Sequence, residues 1–260
     1  MLTAAAAYRG VARDLTRSLD NVAKSPEVAR ETAYYLENIG KVKSIDDFMA
    51  NKRVLTYALN AFGLSDVAYA GALIRRVLEG GTDNSSALAN KLVDQRYREF
   101  ANAFNFVRYG GATTAFDITQ SGTVDRYKRQ VLEQNTGQIS EGARLALYFA
   151  RQAPKVTSGL GLLADKALLN VTQTTLGLSP ATSNLSIEAQ QKMIEEKLDV
   201  SDFKDKSKLD KFLTNFMARW DAANTTSNFG AFNGIATTGV GTVAISTDIL
   251  AALQKIQRRF

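Results

Sequence analysis

The chain has no cysteine and no histidine. Without cysteine there is no disulfide, no thiolate nucleophile and no Cys-ligated zinc or iron–sulfur centre. Without histidine, the commonest general base at neutral pH and the commonest transition-metal ligand are missing too. Catalysis would have to rest on Asp, Glu, Lys, Tyr or Ser. Proline is scarce, at 3 residues in 260. Long apolar runs are missing as well: no window approaches the roughly 18 uninterrupted apolar residues of a spanning helix, so no membrane span is expected. The opening Met1-Leu-Thr-Ala-Ala-Ala-Ala-Tyr8 carries no basic leader, and Arg9 cuts its apolar run short of a signal-peptide core. The expected location is the cytoplasm, with export lacking a cleaved signal left open.

What is present is ordinary globular material, 45% apolar and 22% charged. The 32 basic and 26 acidic residues give +6. That charge is spread along the chain, as on a solvated surface, whereas nucleic-acid binders concentrate theirs.

The strongest internal signal is a repeat at an offset of 114. Tyr34-Tyr35 falls on Tyr148-Phe149, Lys41-Val42-Lys43-Ser44 on Lys155-Val156-Thr157-Ser158, and Gly63-Leu64-Ser65 on Gly177-Leu178-Ser179. Residues 27–65 and 141–179 share 13 identities in 39 ungapped positions, and Phe48, Met49 and Val54 are exchanged for Leu162, Leu163 and Leu168. Repeats of this kind imply matched structural units. A further echo, Gly110-Gly-Ala-Thr-Thr114 with Gly234-Ile-Ala-Thr-Thr238, extends the match into small-residue segments.

Helical spacing of apolar residues predicts helices over 3–24, 26–41, 52–62, 66–79 and 86–106 in the first copy. In the second copy it predicts them over 140–152, 165–176, 187–198 and 207–223, with a terminal helix over 247–260. The face of 26–41 expected inward is Val28, Thr32, Tyr35, Leu36 and Ile39. Ser44 and Ser65 are read as caps, and Gly63 as a left-handed C′ residue with Leu64 folding back behind it. Residues 109–122 and 225–247 read as loops or short extended strands.

The patterns that could carry chemistry dissolve on inspection. Ser201-Asp-Phe-Lys204 matches S-x-x-K without its companion motifs. Asp199, Asp202, Asp205 and Asp210 lack the spacing and glycine of a calcium loop. No lysine follows the late glycines as a phosphate-binding loop requires. The helix–Gly-Leu-Ser–helix pattern lacks the residue types a DNA-binding helix-turn-helix wants, with Leu59 and Tyr69 in the diagnostic places. No catalytic, cofactor-binding or metal-ligating residue is assigned.

Tyr8…Asp14-Leu15…Leu19, Glu31-Thr-Ala-Tyr34-Tyr35…Asn38-Ile39, Ala61-Phe62-Gly63-Leu64 and Asp94-Gln-Arg96-Tyr97…Phe100 together resemble domain of unknown function family 1217. The match covers most of the chain and is better in the first half. Its motifs are mainly core and turn residues, so the resemblance implies no site. It does imply an alphaproteobacterial protein often encoded beside flagellar genes, which makes export through the flagellar route an alternative to the cytoplasm.

The expected architecture is mainly α: a first helical repeat over 1–122, a second over 123–246, and a C-terminal helix over 247–260 packing on the second, with short β-tolerant segments. The expected function is a non-enzymatic structural or assembly protein of the bacterial flagellum, or else a helical protein-binding adaptor unrelated to motility. A protein partner is expected, with no cofactor, no small-molecule substrate, no membrane span and no nucleic acid.

Overall fold

The structure, a computed structural model, describes residues 2–229. It is mainly helical, and no strand occurs among the described residues. Helices α1 (Ala4–Ala12) and α2 (Leu15–Ala23) stand where one helix is expected over 3–24. Asp14 makes the break, because its carboxylate accepts from the Arg17 amide at 3.0 Å and starts α2 afresh. Next come α3 (Pro26–Ile39), α4 (Ile45–Ala50) and α5 (Lys52–Ala61). Pro26 suits the first turn of α3, where no amide partner is needed. Of its expected inward face Val28, Tyr35 and Ile39 are buried, but Leu36 is exposed. Ser44 caps α4 through the Asp47 amide at 3.1 Å, and the Asp47 carboxylate reaches back to the Lys43 amide at 3.0 Å. Asn51 then caps α5.

Two sequence expectations fail in the next stretch. Ser65 starts only a 3-10 turn, Ser65–Val67, and α6 begins at Gly71 (Gly71–Gly80). The single helix expected over 86–106 is three: α7 (Leu88–Lys91), α8 (Gln95–Ala103) and α9 (Phe106–Tyr109). Asp94 and Asn105 are the causes, each accepting from an amide of the helix that follows, Arg96 and Arg108 respectively, at 3.0 Å.

The small-residue segment after α9, expected as a loop or a short strand, is a loop of tight turns. Gly110–Ala115 and Asp117–Thr119 are 3-10 turns. Thr113, Thr114 and Thr119 are fully buried, and their hydroxyls donate to nearby or distant carbonyls, Thr114 to Val42 at 2.8 Å. Threonine there satisfies turn carbonyls instead of filling a sheet face. The matching segment in 225–247 lies outside the described residues beyond 229, as does the helix expected over 247–260.

The remaining helices are α10 (Ser121–Ile139), α11 (Glu141–Gln152), α12 (Gly159–Leu163), α13 (Lys166–Leu176), α14 (Ile187–Glu195) and α15 (Lys206–Phe229). Two apolar cores result. The first holds Tyr35, Phe48, Leu59, Ile74, Phe100 and Phe104, and it extends to Val124, Tyr127 and Leu132 of α10. Its rings pack closely, Tyr57 lying between Tyr35 and Tyr127 at 4.4 and 3.9 Å between centroids. The second holds Leu145, Phe149, Val171, Phe203, Leu213 and Phe216. Its members also include Ala4 of α1, so the first helix of the chain joins the second core while α2 supplies Val22 to the first. At α1 the Ala4 amide donates to Asp221 of α15 at 2.7 Å.

At an offset of 114, α3–α4–α5 run alongside α11–α12–α13 with helix ends agreeing to within a residue or so. Gly63 and Gly177 both have positive φ, +73° and +67°. Behind them the Leu64 amide donates to Leu59 at 2.8 Å, and the Leu178 amide to Gln173 at 2.9 Å. Both turns are the same left-handed helix stop.

Candidate functional site

Between the two cores opens a cleft of about 890 Å³, within the range of about 300–1,000 Å³ usual for binding sites. One wall is α7, α8 and the loop joining them; the other is the end of α11 with the segment through α12 to the start of α13. The broken helices create the first wall. Leu92 and Asp94 are extended where a continuous helix is expected, and Val93 between them is 58% exposed. Across the cleft Val156 and Ser158 are likewise extended, and Leu160 is 41% exposed.

Charge in the cleft is organised by Arg96 and Glu99 of α8. The Arg96 guanidinium grips Asp94, with Nη2 2.7 Å from Oδ2, and donates to the Gly63 carbonyl, the left-handed stop of α5. Burial works against its charge, but Asp94 outweighs burial and holds Arg96 above its ordinary pKa. Glu99 bridges the halves, accepting from Arg126 at 2.8 Å and from Lys155 on the opposite wall at 3.1 Å. Burial pushes the Glu99 carboxyl up; Lys155 and Arg126 more than offset this and leave it below its ordinary value. Tyr148 donates to Asp165, whose other oxygen caps α13 by accepting from the Ala167 and Leu168 amides at 2.8 and 3.1 Å. Burial, then the Asp165 charge, raises the Tyr148 pKa, so the phenol keeps its proton. Beneath the cleft Arg151 makes a two-pronged pair with the buried Glu133, both contacts 2.7 Å.

Each carboxylate lining the cleft is thus held by a cation, a tyrosine or helix amides. Two lining cations, Lys91 and Arg98, have no carboxylate partner among the described residues.

The patterns weighed in the sequence lie elsewhere and apart. Ser201 and Lys204 are exposed on one 3-10 turn. Asp199 accepts from the Ser201 amide, Asp202 pairs with Lys208, Asp205 caps α15, and Asp210 pairs with Lys206. Among the described residues no three acidic side chains gather as a metal site needs, and no helix is long and apolar enough to cross a membrane. The cleft residues were in plain view: Lys155 and Tyr148 sit in the repeat, Asp94 and Arg96 in a family motif. Neither pattern signals locally that these residues meet.

A crystal structure of a protein from Agrobacterium tumefaciens, solved by structural genomics, is similar to this chain. It has a TM-score of 0.80 and 44% identity, covering 86% of this chain and 97% of the other. No curated protein matches. A family model described as "Protein of unknown function (DUF1217)" matches residues 61–209, which take in α6–α14, both walls of the cleft and the Glu99 bridge. This chain belongs to that family.

Proposed function

We propose that the protein is a non-enzymatic structural or assembly component that holds another polypeptide in the cleft between its cores. The observation that carries this is the state of the cleft's ionisable groups. Glu99 is held as an anion and Tyr148 as a neutral phenol, whereas an acid–base catalyst wants a group poised near the working pH. Among the described residues Ser158, the serine on the second wall, makes no side-chain hydrogen bond to an activating base. Outward apolar side chains on both walls suit recognition better than chemistry.

The flagellum is the assembly we propose it serves, on the family resemblance, with export by the flagellar route as part of the same proposal. We also read the two halves as copies of one ancestral unit, supported by the identities at offset 114 and by the paired left-handed stops at Gly63 and Gly177. The test is a clean deletion with complementation. Loss of swimming, with basal structures arrested at a defined stage, is expected. Normal swimming and normal filaments would sink the flagellar reading and favour an adaptor unrelated to motility.

A further inference from the structure

We propose that the cleft takes an acidic polypeptide segment bearing apolar side chains, a refinement that rests on the polypeptide-binding reading above. Charge and shape point the same way. The lining cations Lys91, Arg96, Arg98, Arg108 and Lys155 outnumber the lining carboxylates Asp94, Glu99 and Asp165, a difference of two. Arg96 is spent on Asp94, Lys155 on Glu99, and Arg108 on Asp83 outside the cleft, so among the described residues Lys91 and Arg98 are the ones left over. Both are exposed on the α7–α8 wall. An incoming carboxylate meets these two charges without breaking an existing pair, while an incoming cation meets only carboxylates already occupied.

The apolar part follows from Val93 and Leu160, which stand outward on opposite walls and line the same space. A purely ionic ligand leaves both in water; a segment with leucine or valine beside its carboxylates covers them. Backbone supplies a third element. The walls run extended at Leu92, Asp94, Val156 and Ser158, which gives the cleft two stretches of non-helical wall along which an extended segment can lie.

The test uses the full chain and a fluorescein-labelled peptide of about a dozen Glu, Asp and Leu residues, read by anisotropy. Controls are the same peptide with Lys for each acid, and a single-stranded RNA of comparable charge. The acidic peptide should bind at least about tenfold more tightly than the basic one, as expected of complementary charge. The double variant Lys91→Glu/Arg98→Glu should cost at least about tenfold and reverse the preference, and Leu160→Ser should cost several-fold. Arg13→Glu/Arg17→Glu, the same charge change on exposed residues at the end of α1 and in α2 that do not line the cleft, should leave binding within about twofold. Thermal midpoints confirm that each variant folds. No binding, equal binding of both peptides, or loss with the control pair alone would overturn the proposal. RNA binding abolished by Lys91→Glu/Arg98→Glu, with the acidic peptide unaffected, would overturn it in favour of a nucleic-acid ligand. Normal swimming of the deletion strain with peptide binding intact would sink only the flagellar reading.

Discussion

Gly142 of α11 lies directly beneath the indole of Trp220 on α15. A Cβ added at Gly142 would sit 2.6 Å from the indole Nε1 and 2.8 Å from the Ala4 Cβ on α1. Three helices meet there at a spacing only glycine permits, and that contact ties the start of the chain to its second core. Gly142→Ala should therefore destabilise by about 1–3 kcal/mol, the usual range for overpacking. Urea unfolding followed by the fluorescence of the sole tryptophan checks it. An unchanged midpoint would mean that α1 and α15 separate freely.

The left-handed stops make a matched pair of predictions. Gly63→Ala and Gly177→Ala should each cost on the order of 1 kcal/mol or somewhat more, from the positive φ alone. At Gly63 the new Cβ meets nothing nearer than the Arg96 Cδ at 3.6 Å, so strain is isolated from crowding there. At Gly177 the tip of Arg219 comes within 2.8 Å, but a flexible guanidinium can swing away. Equal costs at the two sites are the expected result.

The pair Arg151–Glu133 joins α10 to α11, with the Glu133 side chain only 2% exposed. Glu133→Ala leaves the half-buried Arg151 guanidinium with only a 3.4 Å contact to Gln130, and the expected loss is at most the about 3–5 kcal/mol of a fully buried pair. Replacing both residues with leucine-like side chains should recover most of that loss. A double-mutant cycle in urea measures it.

Much of this fold could be read from spacing and caps. The positions of α3, α5, α11 and α13 follow from apolar periodicity, and the glycine stops from helix-end chemistry. What could not be read was where helices break. Asp14, Asp94 and Asn105 lie inside good amphipathic patterns, and each ends its helix because its side chain captures an amide of the next one. Thr113, Thr114 and Thr119 keep loop and strand both open in the sequence, since β-branched residues suit strands until their hydroxyls find turn carbonyls. The cleft was invisible because its two walls lie some 60 residues apart in sequence, Glu99 meeting Lys155 at a separation of 56. No local pattern reports such a meeting.

Glu99 gives the cleft a pH signature. Its carboxyl is held below its ordinary value, so the folded protein binds fewer protons there than the unfolded chain. The sign follows: the Glu99 contribution is complete above the unfolded carboxyl value of about 4.3 and is lost as pH falls through the lower folded value. Glu99→Gln should lower stability at neutral pH and flatten its decline below about pH 4.3. Urea midpoints of both proteins between pH 7 and about pH 3 test this; parallel curves would remove Glu99 from the account.

Whether the cleft between the cores holds a protein partner is tested by site-specific photo-crosslinking in the native cell. A benzophenone side chain is placed at Leu160, at Val93, or at the exposed Tyr69, which does not line the cleft. One discrete adduct is expected from Leu160 and Val93, mapping to an acidic segment of the partner, lost with Lys91→Glu/Arg98→Glu and absent from Tyr69. No adduct from the cleft positions, or the same adduct from Tyr69, would contradict a partner seated there.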